Sequence, residues 1–330
     1  MGLLQRVARV YAQEGLGGVG TRLARRILPG RRPVATKRQP DAARAAAQAA
    51  SQARAAERAE AELEYARQRE RFDVRVRELG CADEVAHFYW YHAIDLGNGL
   101  ITPGDYDYRA KVATFPFPAD MRGMTVLDVG SATGFFAFEF ERRGAEVTSV
   151  ELPSLADWDI LSTERPAVLD SLMKASRSDT LEEAYHKHLD GPFQFCRRRL
   201  GSKVQRCYSS VYDLTPAKVG RDRFDIVYAG NILMHLFSPF EALDVLAGLC
   251  KNTLIATIGA DDGRHDAAMT LHKSETRAWW GPNQACMEHM LSRLGFASVR
   301  CTCRDVGWLR RAWHHYRCDF IQADRTPAAA

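Results

Sequence analysis

Short apolar blocks recur through the middle of the chain, separated by mixed segments of helical spacing. Val126 to Val129, Val147 to Val150, Phe224 to Ala229 and "NTLIATIG" (252–259) are mostly apolar and rich in β-branched residues. Such runs suit strands buried on both faces of a parallel sheet. "VQRCYSSVYDL" (204–214) adds a further strand. Between the first two blocks, Phe136 and Phe140 lie four apart on one helical face. Arg142, Arg143 and Gly144 then give a helix end. Strands alternating with helices predict an α/β domain with a mostly parallel, Rossmann-like sheet flanked by helices.

The pattern differs on the N-terminal side. "DAARAAAQAASQARAAERAEAELEYARQRERFDVRVREL" follows Pro40, with Asp41 as a helix start and no Gly or Pro inside. As one helix it approaches ~60 Å. Residues 41 to 60 hold no Leu, Ile, Val or Phe, so that half buries little. Leu63, Phe72, Val74, Val76 and Leu79 give the second half more to pack. The organisation expected is an arm (1–40), a long helix or linker (41–80), an aromatic N-terminal cap (81–122) and an α/β domain (123–325).

Charge sharpens the picture of the arm. Residues 1–40 hold nine Lys/Arg and one acid, 9 − 1 = +8; the remaining residues hold 36 bases and 40 acids, 36 − 40 = −4. Leu3, Leu4, Val7, Val10 and Tyr11, then Leu23, Ile27 and Leu28, follow helical spacing with arginines opposite. A basic amphipathic arm suits an anionic membrane surface or phosphates, and a basic tail or a helix docked on the body is the alternative. No run of eighteen apolar residues and no secretory leader pattern is present. The eight cysteines are scattered without paired C-x-x-C spacing, so reduced thiols and no structural metal are expected. The expected place is the cytosol, with the arm at the inner face of the membrane. His186 and His188 make an H-x-H without a third ligand nearby, which reads as a solvated helix face.

The candidate chemistry lies in "TVLDVGSATGFFAFEFERRGAEVTSVE" (125–151). A strand ends at Asp128, a Gly130-Ser131-Ala132-Thr133-Gly134 turn follows, then a helix, then a strand ending in Glu151. Such a unit opens a crevice at the strand carboxyl ends. Its glycines let backbone approach a ligand closely. Glu151, followed by Leu152, can accept hydrogen bonds from both hydroxyls of a ribose. The spacing is neither G-x-G-x-x-G nor a P-loop, and no base lies in the turn to hold a pyrophosphate.

These residues resemble the first two motifs of class I S-adenosylmethionine-dependent methyltransferases. The resemblance implies S-adenosylmethionine as cofactor, with Asp128 near its amino group, the Gly130–Gly134 turn beneath it and Glu151 on its ribose. It further implies Asp213 on the adenine amino group with Val211 and Tyr212 beside the ring, and Gly230-Asn231 near the methyl. A turn or cap role for Asp213 stays open. "WYHAIDLGNGLITPG", "NILMHLFSPFEALDVL" (231–246) and "WWGPNQACMEHMLSRLGFASV" (279–299) are similar to the methyltransferases related to the tRNA wobble-uridine (mo5U) carboxymethyl/methyl transferase. That likeness spans roughly residues 85–325. "ELPSLADWD" and the polar stretch 160–203 depart from it.

His235 and His92 are the candidate bases, with structural histidines as the alternative. Trp90, Tyr91, Met234, Trp279, Trp280 and Asn283 are the candidate acceptor-binding residues, and core packing fits the aromatics equally well. Three readings stand. The first is methyl transfer to a small-molecule, saccharide or natural-product acceptor. Behind it come a tRNA wobble-uridine enzyme, against which the acidic body speaks, and a non-catalytic cofactor-binding module. Met234 occupies the position of a carboxylate-binding tyrosine in the tRNA enzyme, which favours the ordinary donor over its carboxylated form. Arg109 and Arg310 are the residues that could supply the missing partner.

Overall fold

The structure, a computed structural model, describes residues 41–259, 264–272, 277–310 and 314–325. The arm expected over residues 1–40 lies outside them. The chain divides into two compact units, Met1–Glu57 and Arg58–Ala330. Of the first, only the beginning of helix α1 (Asp41–Glu78) is described.

In the second unit the helices are the later part of α1, α2 (Ala82–Val85), α3 (Phe135–Arg142), α4 (Arg165–Ser176), α5 (Leu181–Tyr185), α6 (Gly191–Leu200), α7 (Pro216–Val219), α8 (Pro239–Leu249) and α9 (Gln284–Arg293). The strands are β1 (Thr125–Val129), β2 (Glu146–Glu151), β3 (Gln205–Tyr208), β4 (Phe224–Ala229), β5 (Cys250–Gly259), β6 (Met269–Leu271), β7 (Trp280–Pro282), β8 (Ser298–Leu309) and β9 (His314–Asp324). Seven of them form one sheet in the order β3-β2-β1-β4-β5-β9-β8, and β6 and β7 pair separately. β1 to β5 run parallel; β9 is antiparallel to β5, and β8 to β9. The α/β class and parallel body expected from the sequence are present. Strand order reverses at β1, which has β2 on one side and β4 on the other, so a crevice opens at their carboxyl ends.

Two apolar layers cover the sheet. One face buries Phe136, Phe140, Phe193, Phe195 and Tyr228 with the cap's Phe115 and Phe117. The other buries Leu243 and Leu246 of α8 and Met287 and Leu291 of α9 against β4 and β5. Among the described residues no helix is long and apolar enough to cross a membrane.

Three expectations change. From Arg58 onward α1 belongs to the same compact unit as the sheet, so no boundary falls at residue 80. It packs through Phe72 and Val76, while Leu63, at 53% exposed, and Val74 and Leu79 face outward. Gln68 donates to Thr102 O (2.8 Å) and Tyr65 OH to Pro103 O (3.3 Å), fixing that face on the cap. The solvated helix face expected at His186 and His188 holds for only one of the two, because the polar stretch 160–203 packs on the body. That stretch forms α4 to α6 with a π-helical turn at His186–Asp190, and buries Tyr185, His188 (9% exposed), Phe193 and Phe195. His186 alone keeps the exposure expected of the pair. Trp90 is core: its ring meets Phe72 at 5.4 Å, Phe88 at 5.7 Å and Phe195 at 5.9 Å. It joins α1 to α6 and offers no surface to an acceptor.

Candidate functional site

The turn after β1 is held in an unusual backbone conformation. Gly130, Ala132 and Gly134 have φ of +72°, +49° and +91°. At Gly134 a Cβ would come within 2.7 Å of Phe138 and Phe193, so both conformation and packing require glycine. The turn's N–H groups are largely spent internally. Gly130 N and Ser131 N donate to Val150 O (3.0 and 3.3 Å), Ala132 N to Glu151 Oε2 (2.9 Å) and Gly134 N to Ser131 O (2.8 Å). A phosphate-binding loop needs such groups converging on the ligand. This turn lacks them, so the pyrophosphate reading fails on geometry as well as on motif.

Glu151 ends β2 with both carboxylate oxygens anchored: Oε2 by Ala132 N, and Oε1 by Leu152 N (3.0 Å). Leu152 O in turn accepts from Tyr185 OH (2.6 Å). Each oxygen keeps a second lone pair for a donor. Asp128 is enclosed, at 1% exposed, with Oδ2 lacking a hydrogen-bond partner. Burial pushes its carboxyl up to about 7, against the opposing pulls of the Arg206 guanidinium and the Ala137 N–H.

On the β3 side, Val211–Asp213 form a 3-10 turn capped by Ser210 Oγ, which accepts from Tyr212 N (3.3 Å). Val211 is buried and Asp213 exposed, leaving that carboxylate accessible to an amino group. Tyr212 OH donates to Asp159 Oδ2 (2.6 Å) and accepts from Ser238 N (3.1 Å). Burial and the Asp159 carboxylate raise the phenol well above its ordinary value. Tyr212 thus ties the loops after β2, β3 and β4 together.

On the β4 side, Asn231 has φ +53°. Its N–H donates to Thr257 Oγ1 (2.5 Å), which donates back to Asn231 Oδ1 (2.9 Å). The rim beyond is a connected set. Met234 O accepts from Trp279 N (2.6 Å), Trp279 Nε1 donates to Asp159 O (2.8 Å), and Trp280 Nε1 donates to Phe237 O (3.1 Å). His235 Nδ1 bonds to Arg277 O. A carbonyl only accepts, so Nδ1 carries a proton; in the neutral ring Nε2 is then the acceptor nitrogen.

His92 contacts the turn from the cap. Its N–H donates to Thr133 Oγ1 (3.2 Å), and its ring lies among Tyr91, Tyr108, Phe135 and Phe136. Burial lowers its imidazole to about 3, so it is neutral and a weak proton acceptor. Tyr91 stands 4.9 Å from the Tyr106 ring. Asn283 is a helix cap: Oδ1 accepts from Cys286 N and Ala268 N, and Nδ2 donates to Asp266 O. Those bonds occupy it fully enough to account for its position without an acceptor. The structure thus gathers the cofactor candidates around one crevice, and Met234, His235, Trp279 and Trp280 on one rim. Trp90 and Asn283 fall outside both.

Arg206, Ser149, Asp159 and Phe193 also contribute, and the sequence reading missed them. Arg206 lies in a four-residue strand with the small Ser149 of β2 in register, a pairing that only the fold reveals. Among the described residues no cluster of three or more His, Cys, Asp or Glu is poised to hold a metal.

No protein-family model matches the chain, and no match is found among curated proteins. Solved structures with partial likeness include magnesium protoporphyrin IX methyltransferase from Synechocystis PCC 6803 with bound SAH. It is 16% identical, with a TM-score of 0.40, over 62% of this chain and 76% of that one. Another is the Burkholderia thailandensis 1,6-didemethyltoxoflavin-N1-methyltransferase, at 17% identity and a TM-score of 0.40, over 62% and 72%. A third is the N-terminal domain of EvdMO1 with SAH bound, at 15% identity and a TM-score of 0.46, over 76% and 97%.

Proposed function

We propose that this chain binds S-adenosylmethionine and transfers its methyl group to a small-molecule acceptor such as a saccharide or natural-product intermediate. The observation that carries this reading is the pairing of an anchored Glu151 with a turn in which the N–H groups of Gly130, Ser131, Ala132 and Gly134 are satisfied internally. One end suits a ribose, and the other suits a cofactor with no phosphate there. Asp213, at the next strand end, suits the adenine amino group.

When bound, the cofactor would supply an electrophilic methyl group on a sulfonium, open to direct displacement by the acceptor. The chain's own residues bind, orient and exclude water. Asn231, locked by Thr257, and the Met234–Trp279 rim line the side on which the acceptor enters. His235 Nε2 takes the acceptor's proton where one must leave, since His92 is too weak a base for that role.

The donor in this reading is ordinary S-adenosylmethionine. Desolvating an extra carboxylate without partners costs several kcal/mol, and Met234 offers no hydrogen bond. The two arginines that could compensate are engaged. Arg109 holds Asp107 with two bonds (2.9 and 2.8 Å), and Arg310 donates to Gly104 O and Gln68 Oε1. Calorimetry tests the proposal. The wild-type chain should bind S-adenosylmethionine and S-adenosylhomocysteine, and Glu151→Ala should weaken both by roughly 1–3 kcal/mol. Absence of wild-type binding overturns the reading, and tenfold tighter binding of the carboxylated donor overturns the donor assignment.

A further inference from the structure

Parallel pairing sets Asp128 of β1, Ser149 of β2 and Arg206 of β3 side by side in one row of the sheet. From that row the guanidinium reaches the turn. Arg206 Nη1 donates to Ser131 Oγ (2.6 Å) and Ser149 Oγ (2.9 Å), and Nη2 donates to Ala132 O (3.1 Å). The two serine hydroxyls bond to each other at 2.6 Å. On its other side the guanidinium carbon stands 4.0 Å from the Phe193 ring centroid. Phe193 is 0% exposed and stacks on Phe138, so the platform is rigid.

Ala132 is the point where these contacts converge. Its carbonyl is held by Arg206 and its N–H by Glu151, so the peptide groups on both sides are clamped while the residue keeps a positive φ. An L-residue leaves that conformation when released. A guanidinium is suited to the clamp because its planar fork serves several acceptors at once, which an ammonium cannot do in the same plane. Its Nε is buried without an acceptor, so the group is placed for the turn at the expense of its own pairing.

We propose that Arg206 is a positioning residue for ribose recognition, holding Ala132 so that its N–H fixes the Glu151 carboxylate in the geometry that accepts the two ribose hydroxyls. This inference rests on the nucleoside reading of the crevice. Without Arg206, Ala132 relaxes, its N–H leaves Oε2, and the carboxylate loses its fixed orientation. Arg206 touches no cofactor atom in this account and acts through Glu151.

The test is the discrimination between S-adenosylhomocysteine and its 2′-deoxy analogue, measured by calorimetry on the full chain as wild type, Arg206→Gln, Arg206→Lys and Ser149→Ala. Wild type should prefer the ribose form by about tenfold or more. Arg206→Gln should weaken the ribose form by a similar factor and the deoxy form by about twofold or less, so that the preference collapses. Arg206→Lys should not restore the preference, and Ser149→Ala, which removes one of the guanidinium's acceptors, should reduce it in part. A loss of general stability would weaken both probes by one factor and leave their ratio unchanged. An unchanged ratio in a folded Arg206→Gln chain overturns the proposal. Should that variant not fold, an unchanged ratio in Ser149→Ala overturns it instead. Wild type that binds neither probe overturns the parent reading, and this one with it.

Discussion

An aspartate in an unfolded chain titrates near ~4, whereas burial raises Asp128 to about 7. Between those values the native state holds a proton that the unfolded state has released, so stability falls as pH rises through that window. The contribution is fully present below ~4 and lost above about 7; three units correspond to at most ~4 kcal/mol. Asp128→Asn removes the titration. Its urea-derived stability should therefore decline less than wild type between pH 4 and pH 8, and parallel profiles would refute the assignment. Single residues differed in how far they were legible. Gly130, Gly134 and Glu151 were readable because a turn with positive φ and a strand-end acid each leave a chemical mark in the sequence. Arg206 was not, because a base in a short strand reads as an exposed edge. Only α6, folded from a polar segment, provides the Phe193 ring that shelters it.

At the scale of elements, α1 shows why the helix was legible and its buried face was not. Ala, Glu, Gln and Arg without Gly or Pro specify a helix. The packed positions are Tyr65, Gln68, Phe72 and Val76, a stripe that includes a polar residue and omits Leu63 and Val74. Phe72→Ala should cost ~3–5 kcal/mol by leaving a cavity against Trp90. Val74→Ala, at an exposed position, should stay within ~0.5 kcal/mol. Urea midpoints of the two variants check this, and equal effects would contradict the facing of the helix. The β8–β9 hairpin was missed for a related reason. Its register places Cys303 and Asp305 opposite Phe320 and Cys318, with arginines at neighbouring positions, so no apolar run announces a strand. Pairing, and not local composition, makes these residues a sheet.

At the scale of the molecule, the charge of residues 1–40 and that of the remainder oppose each other, +8 against −4. An arm that serves attachment should bind anionic vesicles at low salt, where surface charge acts over the longest range. In the full chain, replacing Arg22, Arg25 and Arg26 by Glu should abolish co-sedimentation with such vesicles and leave S-adenosylhomocysteine affinity unchanged. A full chain that ignores the vesicles overturns the attachment role, and salt-sensitive tRNA binding by the same arm would favour an RNA partner.

The sheet's order also has a consequence for how the chain is made. β9 is the last strand in sequence among the described residues, yet it lies inside the sheet, between β5 and β8. The crevice at the ends of β1, β2 and β4 is built entirely from residues that leave the ribosome earlier. While they wait, β5 presents an unpaired edge flanked by Leu254, Ile255 and Ile258, all of which are buried once the fold is complete. Such an edge is a template for pairing with the wrong chain. In the interval between synthesis of Gly259 and of Asp324 that edge stays open to such pairing. A frameshift or nonsense codon after Leu309 would leave every residue of the crevice translated and the nascent sheet unsealed.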